Sequence, residues 1–554
     1  MGIHQRPLSA LAFVVLGMLY VFPYSRSLNN PNERTRVLQA RALADSGSLA
    51  IGEVYRQKRR GRSIRRVRDL YGRSHRDLFV NDVAVVCVDG SRKSDRCSGP
   101  IYPAKAPGAA LLAAPPLAVA ARLGWLEPGP AGEERAHWIA RYFGLVLPLI
   151  GCLLAFIGWL RRAGLRPDRI AKGVIAAGLG TQIFPYGIAA VGHVLAGGCL
   201  VAGVYLLMRA GDGRKSFLWA LAGGAVSAFA VLLEYHAAIA VLCVAVWVLL
   251  TGQRRRLMPG YAVGSLIMAG SLGALHQKMF LSPLRTGHYF LASAHNRAGQ
   301  AKGFLGMDGL HWESLRDHMV DPYMGLIPLM PWLAAGLIIC VVGRGVLRAA
   351  PTAVVGANRA LFAMVAMYLL FISSLGEYRW MNGWSIGPRY LGPAMFPLAL
   401  LGVQAWARTG QWGRSVFTGL AIASVWVMGS ITGAYPSPPD TAGNVLAEVA
   451  YPLLSEGYMV RNAALWFGHG ELSVYFFGAY LFVAALWLAW PAPGSRTWAG
   501  RLAGPFLALA LGCSWMALLG APEGVPNGAR KPDKRHLRFL KKTLEGAKGF
   551  DRQP

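Results

Sequence analysis

Apolar stretches dominate the chain. Thirteen of them recur at 8–25, 137–160, 170–186, 188–208, 217–233, 236–251, 259–276, 322–342, 359–376, 390–407, 414–434, 472–490 and 501–519. Each is near the ~20 residues that cross a bilayer as a helix. A fourteenth stretch, 109–124, carries Pro115-Pro116 at its centre, and two prolines remove backbone donors and disfavour a helix interior. Short polar segments between the stretches hold six basic clusters: Arg161-Arg162 with Arg166 and Arg169, Arg209 with Arg214-Lys215, Arg254-Arg255-Arg256, Arg344 with Arg348 and Arg359, Arg408 with Arg414, and Arg496 with Arg501. Short basic loops stay in the cytoplasm. With the N-terminus inside and 109–124 not spanning, all six clusters fall inside. If 109–124 spans, all six fall outside. The pattern therefore predicts about 13 spans, with 109–124 as an interfacial or re-entrant segment on the outer face. The outer loops are then 26–136, 277–321, 377–389, 435–471 and the tail after 520.

Composition agrees. The chain is 54% hydrophobic and 15% charged, against roughly 25% charged in soluble domains. The expected fold class is an all-α polytopic membrane protein. Its expected parts are a transmembrane core over 1–434, an outer loop with the last two spans over 435–520, and a basic tail over 521–554. The net charge is +30, from 57 basic and 27 acidic residues. Basic loops against anionic lipid account for it, and no nucleic-acid motif accompanies it. The first stretch is too long and aromatic for a cleaved signal and reads as a retained span. The run from Arg56 to Arg76 reads as a solvated insert in the first outer loop. In the tail, Leu537, Leu540 and Leu544 lie among Lys531, Lys534, Arg535, Arg538, Lys541 and Lys542, as in a basic helix lying on a membrane.

Five of the seven cysteines (Cys152, Cys199, Cys243, Cys340 and Cys513) sit in apolar stretches and read as filler. Cys87 and Cys97 flank an Asp89-Gly90 turn in the first outer loop. A hairpin there predicts a disulfide if the loop meets an oxidising compartment.

The candidate chemistry gathers on the outer side. Glu33 follows the first span in Asn29-Asn30-Pro31-Asn32-Glu33-Arg34. Asp82 and Lys105 share the first loop, Lys105 within Tyr102-Pro103-Ala104-Lys105-Ala106-Pro107-Gly108. Tyr186 and His193 flank one outer turn and Glu234-Tyr235-His236 the next. Glu377, Arg379, Trp380 and Trp384 precede Gly387-Pro388-Arg389-Tyr390-Leu391. Ionisable residues at membrane depth are costly and are functional candidates.

These motifs resemble those of the GT-C class of polytopic glycosyltransferases, which use polyprenyl-phosphate-linked sugars. Protein O-mannosyltransferases and the lipid A aminoarabinose transferase are examples of the class. The likeness rests on the acid after span one, the Tyr-Pro-Ala-Lys-Ala-Pro-Gly segment closing a large first outer loop, and Gly-Pro-Arg-Tyr-Leu entering a late span. It covers residues 8 to 410. It implies transfer of a hexosyl or pentosyl group from the lipid phosphate to a lipid, glycan or protein hydroxyl. It also implies a plasma (inner) membrane location with an outward-facing site. The chain has no Asp-x-Asp or Asp-Glu pair after the first span, only Glu33 with Asp45 behind it. A divalent cation therefore stays open as cofactor, with no ligand set.

The chemistry needs a base for the acceptor hydroxyl and fixed cations for the departing phosphate. Glu33 or Asp82 fits the first role, and Lys105 and Arg389 the second. Tyr102, Tyr186, His193, Glu234 and Glu377 complete the expected substrate site. A base opposite the leaving group implies inversion. A transporter or flippase of an anionic lipid or solute is the alternative, using the same basic cavity without a base.

Overall fold

The computed structural model describes residues 6–23, 30–59, 62–69, 82–87, 98–127, 129–213, 215–293, 297–298, 306–342, 350–376, 378, 382–439, 442–490, 498–520 and 538. Glu377, Cys97 and all of the basic tail except Arg538 lie outside them. Eight helices are long and apolar enough to cross a membrane: Ala131–Arg162, His193–Gly211, Ser216–Leu233, Arg254–Phe280, Thr352–Ser373, Arg389–Arg408, Gln411–Ala434 and Gly470–Ala489. Shorter apolar helices Arg6–Val21, Tyr235–Leu250, Pro331–Val342 and Pro505–Ala517 occupy four more of the expected stretches. Pro167–Leu179 with Ile183–Tyr186 occupies the thirteenth. The protein is an integral, polytopic membrane protein, helical in its membrane part.

The first helix, α1 (Arg6–Val21), leads to α2 (Pro31–Ser46). Asn30 caps α2 by accepting the Asn32 N–H at 2.9 Å, and Pro31 pre-sets the first turn. This helix buries Asn32, Glu33, Thr35, Arg36 and Gln39. A polar face buried in this way must be satisfied by partners.

The first outer loop then folds into a four-stranded antiparallel sheet of β1 (Gly52–Arg59), β2 (Arg62–Asp69), β3 (Val83–Val85) and β4 (Gly99–Pro103), in the order β2-β1-β4-β3. The basic run read as an insert is therefore partly the β1–β2 hairpin, paired from Gly52↔Asp69 to Arg59↔Arg62. Ile51, Val54, Val83, Val85, Cys87 and Ile101 form the small core of the sheet with Ala292. Cys87 is disulfide-bonded. The five cysteines of the apolar stretches are free, which leaves Cys97 of the seven.

After the sheet comes α3 (Gly108–Arg122), the ambiguous fourteenth stretch. The helix runs through Pro115 and Pro116 unbroken, which corrects the expectation that the prolines would stop it. Burial of Ala109, Ala110, Ala113, Leu117 and Ala120 along one face holds it. At 1.5 Å per residue it is about 22 Å long, short of the ~30 Å hydrocarbon core. It packs on α2 and on α4 (Pro130–Arg141). A π-helical turn, Tyr142–Val146, joins α4 to α5 (Leu147–Arg162). The next elements are α6 (Pro167–Leu179), α7 (Ile183–Tyr186), α8 (His193–Gly211), α9 (Ser216–Leu233), α10 (Ala238–Leu250) and α11 (Arg254–Phe280). The later helices pack back on the early ones. Tyr480 donates its hydroxyl to the Phe13 carbonyl at 2.8 Å, and Lys172 caps the end of Ser473–Ala489 at Leu488 O, 2.6 Å.

Candidate functional site

The sheet builds the first half of the site. Asp82 enters β3 and Lys105 leaves β4, and β3 and β4 pair through Val83↔Pro103. The Ala104 N–H donates to the Asp82 carbonyl at 2.8 Å. Two residues 23 positions apart therefore lie side by side, with Lys105 Nζ 3.3 Å from Asp82 Oδ1. Tyr102, in the same register, sets its ring edge-on to Phe280 at 6.0 Å. Burial raises the Tyr102 phenol above its ordinary value. The loop after α11 docks on the sheet edge, where the Ala292 N–H donates to Val83 O at 2.9 Å, and this carries His288 toward Lys105.

Helix ends build the second half. Glu234 stands at the C-terminus of α9 and His193 at the N-terminus of α8. Gly192 permits their approach, because a Cβ there would lie 2.4 Å from Leu233 O and 3.0 Å from Glu234 Oε1. Arg36, one turn after Glu33 on α2, reaches Glu234 Oε1 at 2.5 Å. His193 Nδ1 lies 3.7 Å from Glu234 Oε2. The His193 ring is 5.5 Å from that of His236, 5.9 Å from Tyr390 and 6.2 Å from Tyr186. Arg389 enters through the turn before Met395–Arg408. Gly387 sits there at φ +68°, a left-handed conformation that favours glycine, and Gln182 holds the turn by donating to Ile386 O at 2.7 Å.

The halves form one electrostatic unit. Burial opposes ionisation of Asp82, but the charges of Lys105, Arg389 and Arg36 outweigh it and hold the carboxyl below its ordinary value. Burial first, then the Lys105 charge, push the His288 imidazole down to about 3. Three cations (Lys105, Arg36 and Arg389) thus share a partly buried space with Asp82 and Glu234. This arrangement can hold a phosphate.

Glu33 is placed differently from Asp82. It is 1% exposed, receives Arg141 Nε at 2.6 Å, and accepts the Ala190 N–H at 2.8 Å. Its carboxylate ties α2 to α4 and to the turn before α8. Asp82 is 21% exposed and sits among the cations. Of the residues expected from sequence, Asp82, Lys105, Arg389, Tyr186, His193 and Glu234 come together, and Tyr102 borders them. Glu377 lies outside the described residues. Arg36, Arg141 and His288 went unnoticed in the sequence. A carboxylate and a guanidinium one helical turn apart is the signal that would have found Arg36. Arg141 reads as an ordinary flank of an apolar stretch.

The residues able to hold a metal ion are His193, Glu234 and His236, whose ligand atoms lie within 4.8 Å of one another.

No family model matches the chain, and no curated protein matches it. Among solved structures, the crystal structure of ArnT from Cupriavidus metallidurans bound to undecaprenyl phosphate aligns with 92% of this chain and 77% of that one, at 15% identity and a TM-score of 0.44. A likeness of that degree is too slight to carry an argument.

Proposed function

We propose that the protein is a glycosyltransferase of the membrane surface, moving a sugar from a polyprenyl-phosphate donor to an acceptor hydroxyl. One observation carries the reading. Lys105, Arg389 and Arg36, from three distant segments, converge around Asp82 at the rim of a helical membrane bundle. Such cations match a lipid phosphate. The apolar helices match its hydrocarbon tail. The carboxylate supplies what a transporter does not need.

In this reading Lys105 exchanges Asp82 for the donor phosphate and Arg389 holds the same group. Asp82, released and ionised, takes the acceptor proton. The acceptor oxygen bonds to the anomeric carbon, and the C–O bond to phosphate breaks on the opposite face with inversion. The departing phosphate gathers charge against the fixed cations. Asp82 is preferred over Glu33 because it is the carboxylate with both access and the cations beside it.

The site is read as facing outward from the plasma membrane, by the loop charges. The test uses protein purified in detergent with polyprenyl-phosphate-linked sugars and simple acceptors. Donor consumption with release of polyprenyl phosphate is expected. Intact donor, with flux of an anionic solute or lipid across reconstituted vesicles, would instead establish the transporter reading.

A further inference from the structure

Three buried ring nitrogens near the cation cluster have no hydrogen-bond partner. They are Nδ1 and Nε2 of His193 and Nε2 of His236. His193 is 3% exposed. A buried polar atom left unpaired costs about 1–3 kcal/mol, and each such atom calls for a cause, an absent ion among them. The structure fixes both rings rather than leaving them to drift. His236 stacks on Phe371 at 5.5 Å with 13° between the planes, and its carbonyl accepts the Tyr368 hydroxyl at 3.2 Å. His193 is clamped from behind, since a Cβ at Gly392 would lie 2.7 Å from His193 Cβ.

Glu234 completes the set. Arg36 takes its Oε1 at 2.5 Å, and its Oε2 stands 3.7 Å from His193 Nδ1. That is too long for a hydrogen bond. It is close to the ~3.3 Å that separates two ligands on one tetrahedral zinc with 2.0 Å bonds. We propose that His193, Glu234 and His236 form a divalent transition-metal site of the zinc type, with Arg36 orienting the carboxylate from outside. A second-shell donor on the free oxygen of a ligating carboxylate is a recurrent feature of such sites.

The donor set selects the ion. Two imidazoles and one carboxylate suit Zn²⁺ and its neighbours. Ca²⁺ and Mg²⁺ need oxygen ligands and, in protein cages, several carboxylates. The surrounding Arg36, Arg389 and Lys105 repel any cation, so only one gripped by directional N and O bonds is retained. The site does not depend on the transfer reaction, and its test does not measure activity.

The full-length protein is purified in detergent through a histidine-free tag and stripped with EDTA. It is then titrated with Zn²⁺ by calorimetry, and its metal content is read by mass spectrometry after dialysis. One retained equivalent is expected. Loss of an outer-shell partner typically costs 10–100-fold in affinity, so His236→Gln and His193→Gln, which remove ligands, should each weaken binding by at least about 100-fold. The exposed His469→Gln serves as the control and should bind as wild type does. If His193→Gln fails to fold, His236→Gln and the absorption spectrum of Co²⁺-loaded wild type decide. A tetrahedral-type spectrum that His236→Gln abolishes supports the site. Failure of wild type to retain stoichiometric metal, or unchanged binding by His236→Gln, overturns it.

Discussion

Single residues decide between catalysis and support in this fold. Glu33 and Asp82 read alike in the sequence, as acids near a membrane surface. Burial and partners, which no spacing reveals, separate them. Glu33 holds Arg141 in a site where neither is more than 1% exposed. Removing one partner of such a pair strands a buried charge, and Glu33→Gln should cost about 3 kcal/mol of stability. Adding Arg141→Met should recover most of it, since the stranded charge is then gone. Thermal unfolding in detergent reads both. A Glu33→Gln protein as stable as wild type but inactive would move the base role from Asp82 to Glu33. His288 sets a pH dependence. Its imidazole titrates near 3 in the folded protein and near 6.5 unfolded. Between those values the unfolded chain binds more protons, so stability falls as pH drops below 6.5 and is flat above it. His318, lowered mainly by burial, adds in the same direction. Unfolding temperatures from pH 8 to 4 should show the fall, and His288→Gln should lessen it. An equal fall in that variant would remove His288 as a cause.

Elements differed in how openly the sequence declared them. The spanning helices were legible because a run of apolar residues has one outcome in a bilayer, where every backbone polar group must be paired internally. The sheet was not. Its β1–β2 hairpin is built from Arg56, Lys58, Arg59, Arg62, Arg65, Arg66 and Arg68, with no apolar alternation to mark a strand. The strands that place Asp82 and Lys105 are only three and five residues long. Likewise α2 shows no apolar stripe, because the face it buries is polar. Where helix ends meet, tight packing is the constraint. Gly192→Ala would press a methyl group into the Leu233 carbonyl, and overpacking of this kind costs about 1–3 kcal/mol. It should also push Glu234 off Arg36. Gly270→Ala, with nothing within 4 Å of the added carbon, should be neutral or slightly stabilising. Equal unfolding temperatures for the two variants would contradict the close approach of α8 and α9.

The whole molecule places polar chemistry at one end of an apolar bundle, and its orientation rests on loop charge. In a background without other reactive thiols, Arg255→Cys should label only from the cytoplasm, and Leu310→Cys, 76% exposed, only from outside. The reverse pattern would put the site in the cytoplasm. Architecture alone does not reveal chemistry, which lives in the constellation of Asp82, Lys105 and Arg389. The most direct test of that constellation is steady-state transfer from a polyprenyl-phosphate sugar by wild type, Asp82→Asn and Lys105→Ala. Loss of a positioned base should lower kcat in Asp82→Asn by at least about 100-fold, with donor affinity kept. Loss of charge from a phosphate site used in both ground and transition states should raise the donor KM in Lys105→Ala. Full activity in both variants would contradict the account.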